Sequence, residues 1–389
     1  MRSLADCVFA NEELAGALSS IVEGSAFAAE AARRARALNV ALPAELNAGR
    51  RRPDALEVAR STASPSIGSA LPSRHWLPVA VGAAPEGIAV DWAWVGPEPL
   101  RASFYEDEIR RASALPFNRA FRYRTRLDDL VAHAGDIEGR KPDGFIFHMS
   151  RCGSTLVAQM LASLPDAIVI SEAAPIDTVV QRGRCGEPDV ATQVLRVIIT
   201  AFGRKRTGDE RRYVVKLDAW HSLALPLFRR AFPDVPWVFL YRDPVEVLVS
   251  QMRQRGMQMV PSYFPPSFYG IADADCSLNE DYYARVLAAV CRAAIDHAAL
   301  GGGLFLNYDR LPEAVLAKIL PHFAIVATED ERKAMRDAAR RNAKAPSFGF
   351  VRDGPSKQQV ATAAVRRAAD VHLNEVYQRL EELAGAPIA

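Results

Sequence analysis

Gly144-Phe-Ile-Phe-His-Met-Ser-Arg-Cys-Gly-Ser-Thr-Leu156 is the stretch on which the fold turns. The apolar run Phe145–His148 is short and β-prone, and reads as a buried strand. A tight loop follows, and Thr155–Ser163 carries a helical pattern. Strand, loop and helix start in this order make an anion cradle. Gly153 lets the backbone come close to the anion, Ser154 and Thr155 offer hydroxyls, and the first-turn N–H groups point the same way. Arg151 adds a charge-assisted contact. The opposing reading is a helix after a strand, capped by its Ser and Thr.

The nucleotide-kinase form of such a loop needs GxxxxGK[ST], in which a lysine reaches the terminal phosphates. Here Ser154 follows Gly153, and His148 stands where the first glycine belongs. The order Arg151-Cys-Gly-Ser-Thr155 instead resembles the 5′-phosphosulfate loop of sulfotransferases that use PAPS (3′-phosphoadenosine 5′-phosphosulfate). That resemblance assigns Arg151, Cys152, Gly153, Ser154, Thr155 and Leu156 to donor binding.

Outward from this loop, short apolar runs alternate with helical patterns. Ile168–Ile170, Tyr213–Leu217, Trp237–Tyr241 and Leu304–Tyr308 read as further buried strands. Helices are predicted at Ala191–Phe202, His221–Phe232, Pro244–Arg255 and Asp281–Ala299. The alternation predicts an α/β fold, a P-loop-like parallel sheet flanked by helices, with ligands at the carboxyl ends of the strands.

A second motif, Trp237-Val-Phe-Leu-Tyr-Arg-Asp-Pro-Val-Glu-Val-Leu-Val-Ser250, runs from strand into helix. Arg242 at the strand end and Ser250 two helical turns on can converge on one phosphate. The alternative is a helix-end ion pair of Arg242 with Asp243. The sulfotransferase family carries Arg-(Asn/Asp)-Pro and Val-x-Val-Ser at this distance, where they hold the 3′-phosphate of PAPS. Both motifs stand here in the family's order. The resemblance is closer to the bacterial and tyrosylprotein type than to the cytosolic small-molecule type.

Sulfuryl transfer needs a base for the acceptor hydroxyl and a cation for the departing oxygen; no metal is expected. Glu172, in Ile168-Val-Ile-Ser-Glu-Ala-Ala-Pro175, matches the glutamate that takes the acceptor proton in tyrosylprotein sulfotransferases and many bacterial relatives. Asp218 and His221, in Lys216-Leu-Asp-Ala-Trp-His221, are the alternatives. Cytosolic sulfotransferases have a histidine where Asp218 stands, so the preference falls on Glu172. Lys216, ending a buried strand, is the candidate cation, because an ammonium is seldom buried for packing alone. An ion pair of Lys216 with Glu172 or Asp218 is the structural alternative.

Ser347-Phe-Gly-Phe-Val-Arg-Asp-Gly-Pro-Ser-Lys357 is a candidate lid, with Arg352 and Lys357 reaching the donor phosphates. The family's Arg-Lys-Gly is absent from it. Leu304–Pro312 resembles the family's strand followed by Tyr-Glu-Asp-Leu, with Tyr308 and Asp309 kept in kind. The stretch Tyr263–Tyr269, aromatic and proline-rich, is read either as an acceptor-pocket wall or as an irregular packed loop.

Ahead of the core, residues 1–48 carry apolar positions at helical spacing and predict two or three short helices. Residues 36–46 weakly resemble the small helical leader domain associated with nitrogen fixation and peptide natural products, with Asn39 where glycine is usual. A generic helical appendage is the other reading. Residues 49–73 read as a linker and 74–141 as a lead-in, in which Ile88, Val90, Trp92 and Trp94 alternate as one face of a strand. A charged helix is predicted around Phe104–Ala114, and the sulfotransferase core spans 142–389.

With 389 residues, 49% of them hydrophobic and 24% charged, the chain has the composition of a globular protein. A net charge of +2 does not favour nucleic acid or a membrane as partner. Five scattered cysteines without a CxxC pair argue against a disulfide scaffold. No signal-like leader opens the chain and no apolar run reaches eighteen residues, so a cytoplasmic location is expected. The expected function is sulfuryl transfer from PAPS, leaving PAP, to a hydroxyl acceptor: a phenol, alcohol, sugar or peptide tyrosine. A small-molecule kinase and a non-catalytic nucleotide-binding protein of the same fold are the rivals. Oligomeric state is not readable from the residues.

Overall fold

The computed structural model describes residues 3–43, 46, 66–68, 71–85, 87–183, 187–272, 279–342, 345–349 and 353–385. The chain folds as two units. One comprises residues 1–141, 173–182 and 193–210; the other comprises 142–172, 183–192 and 211–389.

The first unit opens with helices α1 (Leu4–Ala10), α2 (Glu12–Ser19) and α3 (Gly24–Leu38). Ser3 and Asp6 form a capping box on α1, and the Asn11 side chain accepts the Leu14 N–H at 2.9 Å to start α2. Asn39 ends α3 in the left-handed region at φ 51°, a conformation asparagine tolerates better than most residues. The strands β1 (Ser66–Gly68), β2 (Trp76–Ala84), β3 (Gly87–Trp94) and β4 (Tyr123–Arg126) form a sheet in the order β1-β4-β3-β2. Helices α4 (Tyr105–Ala114), α5 (Pro116–Ala120) and α6 (Leu127–Ala132) complete the sequence of elements around it.

The predicted alternation of β3 holds at Val90, Trp92 and Trp94, which are buried, but fails at Ile88, which is exposed beside the hairpin turn. Ala89 and Ala93 on the other face are buried as well, so the sheet is covered on both sides there. Trp76, Trp94 and Phe117 share one aromatic cluster, with the two indole rings edge-on at 6.0 Å. The tryptophans are core. The expected linker at 49–73 lies for the most part outside the described residues.

The second unit is built on β5 (Gly144–His148), β6 (Ala167–Ser171), β7 (Arg212–Lys216), β8 (Trp237–Tyr241) and β9 (Gly303–Asn307). All neighbours are parallel, in the order β6-β7-β5-β8-β9. Every residue of β5, β6 and β8 is buried, which requires cover on both faces and explains their unbroken apolar runs. Helix α7 (Ser154–Ala162) follows β5; α8 (Ala174–Gly183) and α9 (Pro188–Phe202) come between β6 and β7 in the chain, and most of both belongs to the first unit. From β5 the chain goes to the far edge, returns with β7, then places β8 on the other side of β5. That reversal puts a topological switch point at the carboxyl end of β5.

The helix predicted at His221–Phe232 is two elements, a 3-10 turn at Ala219–Ala224 and α10 (Leu225–Ala231). Pro226 is the cause: it lacks an N–H and its ring clashes with the preceding turn, so it belongs in the first turn of a new helix. Helices α11 (Pro244–Arg253), α12 (Glu280–Asp296), α13 (Glu329–Ala339), α14 (Gly354–Val360) and α15 (Ala363–Gly385) also belong to the unit. Helix α15 packs along α12, α11 and β9. Among the described residues, no helix is long and apolar enough to cross a membrane.

Candidate active site

The loop after β5 has an unusual backbone. Ser150, Arg151 and Gly153 all have positive φ, at 80°, 54° and 84°. A Cβ on Gly153 would lie 2.8 Å from the Tyr308 ring and 2.9 Å from Leu311, so glycine alone fits between loop and ring. Gly153 is also the N-cap of α7, and brings no side chain to the first-turn N–H groups. A helix start capped by glycine after a strand suits an external anion. Ser154, Thr155 and Leu156 open the helix and are buried.

Two loop residues are committed within the protein. Arg151 donates from Nη2 to the Gln254 carbonyl at 2.6 Å. The Cys152 thiol donates to the Leu240 carbonyl at 3.1 Å, and burial pushes its pKa up to about 12. Cys152 is therefore a packing residue in its side chain, and any contact it makes with a donor comes from its backbone.

Glu172 and Lys216 meet at the carboxyl ends of the adjacent strands β6 and β7. Lys216, 1% exposed, donates from Nζ to Glu172 Oε1. The Glu172 N–H donates to the Lys216 carbonyl at 2.8 Å, and Glu172 has a left-handed φ of 53°. Ladder pairing up to Ser171 with Lys216, followed by this turn of the backbone, aims the carboxylate at the ammonium. Burial works to raise the Glu172 pKa, but Lys216 and His148 outweigh it and hold the carboxyl well below its usual range.

His148 is a member that the sequence reading passed over. It ends β5, is 4% exposed, and its Nε2 lies 3.4 Å from Glu172 Oε1. A lone histidine ending an apolar run carries no signal that separates it from a core residue, and Glu172 is 24 positions away. Asp218 and His221 are buried in the turn after β7, where the Asp218 N–H donates to His221 Nδ1 at 3.3 Å.

The second motif makes a second cluster. Arg242, 4% exposed at the end of β8, donates from Nε to Glu246 at 2.6 Å and from Nη2 to Asp353 Oδ1 at 2.6 Å. Its guanidinium carbon stands 4.0 Å from the centre of the Tyr308 ring. Burial works to lower the Arg242 pKa, and Asp353 with Glu246 outweighs it. Lys357, on α14, is 5% exposed and pairs with Asp353 Oδ2 at 2.8 Å. Arg242 and Lys357 thus converge through one carboxylate. Ser250 lies on α11, and the guanidinium is engaged by Glu246 and Asp353 rather than by its hydroxyl. Asp243 caps α11 by accepting the Glu246 N–H at 3.0 Å and is not the partner of Arg242. Arg352 lies outside the described residues.

The stretch Tyr263–Tyr269 is a packed loop: Phe264 is buried against Trp220, with ring centres 4.7 Å apart, and against Phe268. Only Tyr263 among its aromatics is more than half exposed, at 57%.

No family model and no curated protein matches the chain. Among solved structures it is similar to the sulfotransferase domain of the Synechococcus PCC 7002 olefin synthase, at 16% identity over 64% of this chain and 96% of that one, with a TM-score of 0.37. The sulfotransferase domain from the curacin biosynthetic pathway matches at 15% identity over 63% and 98%, TM-score 0.37. A mouse sulfotransferase complexed with PAP matches at 15% identity over 65% and 93%, TM-score 0.37.

Proposed function

We propose that the chain is a sulfotransferase that moves the sulfuryl group of PAPS to a hydroxyl acceptor. The observation that carries this reading is the Lys216–Glu172 pair, set at the carboxyl ends of adjacent strands beside a glycine-capped helix start. PAPS supplies an activated sulfuryl group, and PAP departs with the oxygen that bridged its 5′-phosphate to sulfur. The protein's part is to hold both ends of the donor, remove a proton from the acceptor and stabilise charge on the departing oxygen.

In this reading Gly153, Ser154 and Thr155 hold the 5′ end at the start of α7, and Arg242 with Lys357 takes the 3′-phosphate. Two such anchors, a helix start and a buried guanidinium, suit a nucleotide phosphorylated at both ends. Lys216 moves from Glu172 to the departing oxygen. Released from its cation, the Glu172 carboxylate becomes basic enough to accept the acceptor proton. The new sulfur–oxygen bond forms to the acceptor as the bond to the donor breaks. Asp218 and His221 are left to shape the turn. The acceptor class stays as broad as a hydroxyl on a phenol, alcohol, sugar or peptide tyrosine. In this scheme the second unit carries the catalytic and donor-binding residues.

The test has two arms. PAP raises the melting temperature and ATP with magnesium does not. Incubation with labelled PAPS and pooled hydroxyl acceptors then yields a product heavier by one sulfuryl group in the mass spectrum. Stabilisation by ATP with magnesium but not by PAP overturns the reading in favour of a kinase. PAP binding with no transfer to any acceptor class favours a nucleotide-binding protein without catalysis.

A further inference from the structure

His148 touches three parts of the site at once, and its partners fix its chemical state. Nδ1 accepts the Ser150 backbone N–H at 3.0 Å. Nε2 lies 2.9 Å from the Leu217 carbonyl oxygen and 3.4 Å from Glu172 Oε1. A backbone N–H can only donate and a carbonyl can only accept. The ring is therefore neutral, with its lone pair on Nδ1 and its proton on Nε2. Burial, the largest influence, also lowers the His148 pKa.

This state excludes one role and supports another. With its only lone pair turned to Ser150, the ring has no free site for an acceptor proton. Its Nε2–H donates to the Leu217 carbonyl, and the near oxygen of Glu172, the same oxygen that Lys216 holds, stands 3.4 Å from the same nitrogen. Glu172 also acts on the charge of Arg151 in the loop.

We propose that His148 is the positioning residue that keeps the Glu172 carboxylate in place when Lys216 turns to the departing oxygen. The proposal rests on the sulfotransferase reading for its kinetic consequence. A carboxylate losing its one strong donor is free to rotate out of line with the acceptor. With Lys216 turned away, Oε1, 3.4 Å from Nε2, is free to close on the Nε2–H, which leaves Oε2 to take the proton. Through Nδ1 the same ring supports Ser150, whose hydroxyl also accepts from Gln251 Nε2 at 3.0 Å. One side chain thus joins the donor loop to the base.

Two substitutions separate these contacts. In His148→Asn the amide oxygen reproduces the Nδ1 acceptor for Ser150 but no donor reaches Glu172. In His148→Gln the amide nitrogen falls near Nε2 and restores that donor, at the expense of the Ser150 contact. His148→Asn is expected to lower kcat about 10-fold with PAP affinity within about 3-fold of wild type. His148→Gln recovers most of that kcat and binds PAP more weakly. A purely structural histidine moves kcat and PAP affinity together in both variants, and that result overturns the proposal.

A measurement on the resting protein does not depend on turnover. Nitrogen-15 spectra of the histidine-labelled full chain at pH 7, with His148 assigned by its loss in the variants, should show a neutral ring protonated on Nε2. Glu172→Gln should move that Nε2–H resonance. A charged ring, a proton on Nδ1, or no response to Glu172→Gln overturns the proposal even if sulfuryl transfer is demonstrated. Conversely, the expected spectra in a protein that transfers nothing leave the Glu172–His148 contact standing and remove the sulfotransferase reading.

Discussion

The Asp353 carboxylate accepts from Arg242 Nη2 at 2.6 Å on one oxygen and pairs with Lys357 at 2.8 Å on the other. A guanidinium and an ammonium that share one acidic group are arranged as they would be around a phosphate. The carboxylate holds the two cations together while competing for them.

If the two cations hold the 3′-phosphate, removing the competitor strengthens binding. Asp353→Asn should tighten PAP binding about 3- to 10-fold by calorimetry, equivalent to about 1 kcal/mol. The same change should lower the melting temperature, because two buried cations lose their charged partner. Weaker PAP binding in this variant would show that Asp353 supports the site rather than competing in it.

Glu172→Gln keeps the size of the side chain and removes its basicity. Turnover should fall by about 10²–10⁴-fold, with PAP affinity nearly unchanged. If turnover survives, the base is Asp218 or His221, and Asp218→Asn then carries the loss.

The acid sensitivity of the second unit should depend on Glu331. Its carboxylate receives Arg212 Nη1 at 2.7 Å, and that hydrogen bond with Arg212 is the main cause of its pKa falling from 4.5 to about 2. The folded-state pKa is depressed, so this contribution is present above the unfolded value of 4.5 and is lost as pH falls towards about 2. Glu331→Gln should lower stability at pH 7 by on the order of 1 kcal/mol and reduce the difference between pH 7 and pH 3, read by urea unfolding at both values. An undiminished pH dependence would assign the acid sensitivity to other carboxylates, Glu172 first.

Gly153→Ala tests the loop directly. At φ 84°, with the Tyr308 ring 2.8 Å from the added carbon, the substitution should cost about 1–3 kcal/mol of stability and abolish PAP binding. Retained affinity would place the donor elsewhere.

What was legible in the residues was the parallel sheet and the pairing of its ends. Strands buried on both faces read as near-continuous apolar runs, and Phe145–Phe147 and Trp237–Tyr241 announce β5 and β8 that way. Arg242 and Lys216 were visible because each ends such a run, where an isolated charge needs a purpose. Strand β2 went unread, since Pro78 and Gly82 break its pattern and its order comes from pairing with β3. Asp353 was hidden because an acidic residue inside a supposed lid looks like solvent-facing charge. Its meaning appears only when helix α14 sets it against Arg242. The convergence of His148 on Glu172 was beyond local pattern for the same reason, since contact between strand ends is a property of sheet order.

The sheet order has a further effect on how such a protein can diverge. Strand β5 lies in the middle, so the loop it carries is anchored by neighbours on both sides and cannot drift without disturbing β7 and β8. The outer strand β9 has a neighbour on one side only, and the segment leaving it is less restrained. Mutation can therefore remodel the edge of the sheet more readily than the loop after β5, and under the proposed function a change of acceptor is open to this architecture at less risk than a change of donor.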